Sequence, residues 1–219
     1  PYLRHAKMRS APPKYMILAT IILMDILAGT EFDLFVPSFP ELQRSFALTP
    51  FWVESLLSVN FLGYFLSLFC VGSLADFYGR RLLILLGVIV FLLGTGMCLI
   101  ASHFEILMIG RFLQGLGIGA PATLSFLIIA DLYDLKTQQS LFSILNGLMN
   151  ASAGAAPVVG SYLTLSYHWQ GNFWALLLFG IVVLVMSYFF IPIHQKTYVK
   201  NKNPFSGYGA IFKEKSLVL

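Results

Sequence analysis

Three carboxylates stand inside one apolar run, YMILATIILMDILAGTEFDLFVP, residues 15–37. They are Asp25, Glu31 and Asp33. The run is long enough to cross a bilayer, which takes about 20 residues at about 1.5 Å each. An ionised side chain near the bilayer centre costs at least about 2.5–3.5 kcal/mol on insertion scales, so acids kept there mark ion, proton or substrate pathways. Asp33 follows Asp25 by two turns plus about 80°, about 12 Å along the axis. The two lie on broadly one side of a helix, Asp25 deep and Asp33 shallower. Glu31 falls about 240° round from Asp25, on the far side, with no partner evident in the sequence.

A second charged position in an apolar stretch is Arg111, in IGRFLQGLGIG, residues 109–119. A guanidinium cannot be neutralised by losing a proton, so it needs partners when buried. Gln114 lies one turn on, on the same face, and Gly115, Gly117 and Gly119 let another helix approach closely. A positive charge beside a membrane carboxylate stabilises its ionised form against desolvation, which is what a proton-binding site needs. Plainer roles stand beside this one. Asp25 as a structural partner of Arg111, Asp33 as a helix-end cap or outer-loop ion pair, and Arg111 reaching outward to the interface each fit the same residues.

The elements that position these groups follow from composition. The chain is 58% hydrophobic and 11% charged, against about 45–50% and about 25% in soluble domains. It is an integral membrane protein with little room for a soluble domain. Six helical spans are expected, over about 15–36, 52–75, 82–101, 106–130, 140–166 and 173–192, with breaks at Pro37–Phe51, Asp76–Arg81, Ser102–Glu105, Asp131–Gln139 and Tyr167–Asn172. The basic lead-in 1–14 runs into the first span without a small-residue cleavage site, so that span reads as a retained anchor. Of the 14 lysines and arginines, all but Arg44 and Arg111 fall on the N-terminal side of the membrane, which predicts that both termini are cytoplasmic. This sorting into alternate loops argues against a nucleic-acid surface, despite a net charge of +4. Cys70 and Cys98 read as core thiols. His5, His103, His168 and His194 fall in loops or at span ends and suggest no metal site. There is no G-x-x-x-x-G-K-[ST] loop and no nucleophile with a base, so the expectation is a protein that is not an enzyme and has no cofactor.

The break between the second and third spans reads Gly72-Ser73-Leu74-Ala75-Asp76-Phe77-Tyr78-Gly79-Arg80-Arg81. This resembles the signature loop of the major facilitator superfamily of secondary transporters, through Gly72, Leu74, Asp76, Gly79, Arg80 and Arg81. It departs at Phe77, where the family usually has a basic residue. The resemblance implies a cytoplasmic gate. The stretch around Arg111 and Gln114 is similar to a second motif of the superfamily, whose arginine is implicated in proton coupling. The fifth span, with Asn146, Asn150, Pro157 and Gly160, resembles a degraded antiporter motif; helix packing alone also accounts for its small residues. Asp25 and Asp33, with Pro37 after them, resemble the acid pair of twelve-helix drug:proton antiporters, in some of which the two acids bind protons and cationic substrate.

The resemblance implies the first six of twelve helices, with residues 15–192 as one six-helix half and 193–219 as the start of a central cytoplasmic loop. It implies a lipid bilayer, protons, a small-molecule substrate and a C-terminal six-helix half as partners, in a cell membrane, most simply a bacterial inner membrane. The function expected is proton-coupled export of a small amphipathic or cationic compound. A proton-coupled importer of a nutrient and a membrane scaffold without transport are the alternatives.

Overall fold

The computed structural model describes residues 12–192. The expected central-loop segment 193–219 and most of the basic lead-in lie outside the described residues. Six long helices form: α1 (Lys14–Asp33), α3 (Pro50–Tyr78), α4 (Arg80–Leu99), α5 (Phe104–Leu132), α6 (Leu135–Tyr167) and α7 (Gln170–Phe190). A short α2 (Phe39–Ser45) lies between α1 and α3. Five segments are long and apolar enough to cross a membrane, the first running from Lys14 through α2. The exception is α6, which at 33 residues has the length but is diluted by Ser143, Asn146, Asn150, Ser152, Ser161 and Thr164.

The segment after α1, expected as a plain loop, is a 3-10 turn at Val36–Ser38 followed directly by α2. Pro37 explains the change. It has no N–H for the Asp33 carbonyl four residues back, so the α-helical ladder of α1 ends there and the chain tightens into the 3-10 turn. Pro40, near the start of α2, sits where its missing donor is harmless. The other connections are shorter than the sequence suggests. α3 and α4 are separated by Gly79 alone, with φ 90° and ψ 144°, a conformation that favours glycine. α5 and α6 are separated by Tyr133 and Asp134, and Asp134 caps α6 by accepting from the Thr137 backbone N–H and hydroxyl. Those hydrogen bonds hold the Asp134 carboxyl below the usual carboxylate range.

Short links make successive long helices antiparallel. Lys14, Arg80, Arg81 and Lys136 therefore gather at one end of the bundle, and Arg44 stands at the other. At that second end, His168, with φ 61°, turns the chain from α6 into α7. Its Nδ1 lies 2.9 Å from Glu41 Oε1 of α2. Beneath this turn the buried Asn172 amide donates to Ser38 Oγ at 2.6 Å and Thr164 Oγ1 at 2.8 Å, fastening the 3-10 turn to α6 and α7.

The centre of the bundle is α5, packed most closely against α3 and α4 and also touching α1. Its small residues make this possible. Gly115 rests against the Asn60 backbone of α3, Gly117 against Gly87 and Phe91 of α4, and Gly119 against Ser67 of α3. The three glycines do what their spacing predicts. Gly160 does the same for α6, lying on the Leu34 backbone just past the end of α1. A methyl group at Gly115 would overlap the Asn60 carbonyl, while one at Gly96 on α4 would meet open space. Gly115→Ala is therefore expected to destabilise the bundle by about 1–3 kcal/mol, and Gly96→Ala to be neutral or stabilising by up to about 1 kcal/mol. Thermal unfolding of the two variants in one detergent checks the contrast.

Candidate functional site

At the end of the bundle opposite the basic one, four helices meet at a sealed polar knot. Arg111 stands seven residues into α5 and is wholly buried. Its Nη1 donates to Glu31 Oε1 of α1 at 2.8 Å and to Gln114 Oε1, one turn on, at 2.8 Å. The amide of Asn60 on α3 donates to the same Glu31 oxygen at 2.7 Å and to the Arg111 carbonyl at 3.0 Å. Gln114 donates in turn to Thr95 Oγ1 of α4 at 2.8 Å, and Thr95 back to the Phe91 carbonyl at 2.8 Å. The guanidinium stacks over the Phe35 ring, 4.0 Å from its centroid, an added attraction in a dry site. Glu31 Oε2, Asn60 Oδ1 and Arg111 Nε and Nη2 are buried there without a partner among the described residues.

This knot corrects one expectation. Arg111 neither reaches outward nor serves Asp25 and Asp33. Its counter-charge is Glu31, the acid that sequence reasoning left without a role. Glu31 meets α3 through Asn60 and α5 through Arg111, and the whole of it is enclosed. Depth was the missed signal. Glu31 lies two residues from the end of α1 and Arg111 seven from the start of α5, so both belong to the end of the bundle away from Lys14, Arg80 and Arg81, while Asp25 lies nearer the middle of α1. The expected partnership of Arg111 with Gln114 holds.

Asp25 stands apart from the knot. It is fully buried, and Ser125 of α5 donates to its Oδ1 at 2.9 Å. Its Oδ2 has no partner among the described residues. Ser125 lies 14 residues beyond Arg111 on α5, about 21 Å along the axis, so α5 serves the two acids from opposite halves. Tyr64 of α3 is close enough to couple electrostatically to Asp25. Asp33 is half-buried at the last turn of α1, two residues past Glu31. Phe32 beside it stacks on Phe61 of α3, with centroids 4.6 Å apart, and meets Tyr64 edge-on. Asn146 and Asn150 are exposed on α6, each bonded to the backbone one turn back, and do not join the Asp25 or Arg111 groups. Pro157 lies within α6, one turn before Gly160.

At the basic end, Gly79 releases α4 from α3, and the two arginines after it tie α4 to its neighbours. Arg80 binds the Leu127 carbonyl and the Asp131 carboxylate of α5. Arg81 binds the Tyr188 carbonyl of α7 and lies over its ring at 5.3 Å. Asp76 is exposed in the last turn of α3, and Gly72 presents open space.

The family model described as Major Facilitator Superfamily matches residues 21–219. The chain belongs to the Major Facilitator Superfamily. Among curated proteins it is similar to multidrug resistance protein MdtL of Escherichia coli K12, 28% identical over 178 residues, covering 81% of this chain and 45% of that one. The MdtL of Shigella boydii matches with the same identity and coverage. The chain thus spans about half the length of the curated relatives it matches. Among solved structures it superposes on a D-xylose–proton symporter with a TM-score of 0.72 at 15% identity, covering 94% of this chain and 53% of that one. The human organic anion transporter MFSD10 gives 0.68 at 20% identity, covering 83% and 48%. At these identities the structures speak for the fold alone. For this superfamily half, the six long helices are one repeat of a larger transporter fold.

Removing one member of a buried ion pair strands the other, at about 3–5 kcal/mol, whereas replacing both with apolar groups is often close to neutral. Glu31→Leu and Arg111→Met are each expected to lower stability by that amount, and the double variant to lose far less than their sum. A double-mutant cycle by thermal unfolding of the purified protein measures the coupling.

Proposed function

We propose that the complete protein is a proton-coupled secondary transporter exporting a small amphipathic or cationic compound, with this chain as its N-terminal half. Asp25 is the group that takes up and releases the proton. The observation that carries the reading is its environment, a carboxyl buried midway along α1 with one hydroxyl donor and, among the described residues, no cation bound to it. A carboxyl locked to a guanidinium has little reason to titrate; one held by a single hydroxyl can exist in both states. Glu31 and Arg111 form the fixed pair that closes the outer part of the half. Asp33, half-buried beside Phe32, is the shallower acid on the substrate path, where an acid and aromatic faces together suit a cationic or amphipathic ligand.

In this reading the site lies between this half and a second six-helix half, near the membrane midplane. The exposed aromatic and aliphatic side chains of α3, Phe61, Leu62, Phe65, Leu66 and Phe69, and the exposed small-residue face of α6 support a surface that meets that half and lipid. Gly79, Arg80 and Arg81 make the gate at the basic end, and the clustering of Lys14, Arg80, Arg81 and Lys136 there supports a cytoplasmic placement of that end. The likeness to MdtL supports a drug-type substrate and a bacterial inner membrane. Protonation from outside releases substrate, and loss of the proton towards the cytoplasm reloads the site.

The test is Asp25→Asn in the full-length protein, reconstituted in vesicles with an imposed pH gradient. Uphill transport of a fluorescent lipophilic cation such as ethidium is expected to fall at least about tenfold, while exchange that needs no net proton movement persists. Gradient-driven transport that survives unchanged removes Asp25 from the coupling role. Proton flow in the same direction as substrate replaces export with nutrient import.

A further inference from the structure

Ser125 appears in no motif of the sequence, yet it is the residue that holds Asp25. Its Oγ lies 2.9 Å from Asp25 Oδ1 and 2.9 Å from the Ala122 carbonyl of its own helix. Both oxygens accept, and a hydroxyl has one hydrogen, so only one of these contacts is a donation at any moment. The second contact is a back-bond to the helix, of the kind that bends helices, and it falls in the turn just after Pro121, which already breaks the α5 ladder.

We propose that Ser125 is the proton-state partner of Asp25, a positioning residue whose hydroxyl hydrogen moves between the Asp25 carboxylate and the Ala122 carbonyl as Asp25 loses or gains its proton. With Asp25 ionised, the hydroxyl donates to Oδ1 in a charge-assisted bond, about twice as strong as a neutral one. With Asp25 protonated, that pull is lost. The hydrogen turns to the Ala122 carbonyl, and Oγ is free to accept from the carboxyl O–H. No heavy atom has to move and no covalent bond other than the carboxyl O–H forms or breaks. The state of the acid on α1 is thereby written into the backbone of α5 in the turn just after Pro121.

The groups around Asp25 leave this role to Ser125. From α3 the titratable neighbour is Tyr64. On α5 the one cation inside the span, Arg111, is bound to Glu31. Between Lys136 and Tyr162, α6 has no acid or base, and α7 has none before Tyr188. On α1 itself, Glu31 is held in the outer knot and Asp33 lies two turns on.

The inference rests on Asp25 being the titrating group of the proposed function, but its test reads Asp25 directly and needs no transport. The full-length protein in vesicles is treated with dicyclohexylcarbodiimide, which modifies protonated carboxyls in apolar sites, over a series of pH values. Modification of the Asp25 peptide is followed by mass spectrometry, with Glu31 as internal reference. Ser125→Ala is expected to move the labelling midpoint of Asp25 upward by about one pH unit, the loss of one hydrogen bond to a charged group. Ser125→Thr should restore it, and Ser125→Cys, a weak donor of similar size, should give a smaller shift of the same sign. Should Ser125→Ala fail to yield folded protein, the Cys and Thr pair carries the comparison. An unchanged midpoint in the Ala or Cys variant, or an equal shift in the Thr variant, overturns the proposal. Loss of coupling in Asp25→Asn would stand regardless.

Discussion

Arg111 cannot give up its charge, and the bundle leaves it no exposed surface. Everything near it follows from that constraint. A permanent cation with no exposed surface needs an anion and oriented dipoles within hydrogen-bond reach, or the fold would bear a desolvation penalty of several kcal/mol without return. Glu31 comes from α1, the Asn60 amide from α3 and, through Gln114, the Thr95 hydroxyl from α4. Those short side chains reach because the helices touch backbone to backbone, through Gly115 on Asn60 and Gly117 on Phe91. The glycines of α5 and its arginine are one device. The ion pair adds little net stability over an apolar core, but it admits a single register of four helices.

With that pair closed on itself, the remaining buried acid has a different chemical life. Glu31 and Asp25 are both enclosed in α1, six residues apart, yet one is bound to a guanidinium and an amide and the other to one hydroxyl. Environment, not residue type, sets the two acids apart: one lies on a permanent cation, the other against a hydroxyl. The separation along α5, about 21 Å from Arg111 to Ser125, keeps the fixed charge from dictating the state of the other.

The basic end shows a second economy. One glycine at φ 90° divides α3 from α4, and the two residues after it carry α4 to the ends of α5 and α7. Together with the Asn172, Ser38 and Thr164 bonds at the opposite end, these tie α4 to α5 and α7 at one end of the bundle and the 3-10 turn to α6 and α7 at the other.

Much of this was open to reading in the chain itself. Apolar runs set the spans because backbone in lipid must satisfy its own hydrogen bonds, leaving helices as the solution. The unremovable charge of Arg111 and its turn-spaced Gln114 announced a buried polar site, the Gly79–Arg81 run announced the gate-like turn, and Asp25 announced a costly acid. Which acid meets the arginine was not readable. A helical wheel gives the angle of Glu31 but not what occupies that direction, and α1 is surrounded by α3, α5, α6 and α7 in a way that no single-helix periodicity expresses. Asn60, Thr95 and Ser125 escaped for the same reason. Each is an ordinary polar residue in its own span and joins a buried polar group through a partner 19 to 100 positions away, a pairing that only the packing of whole helices decides.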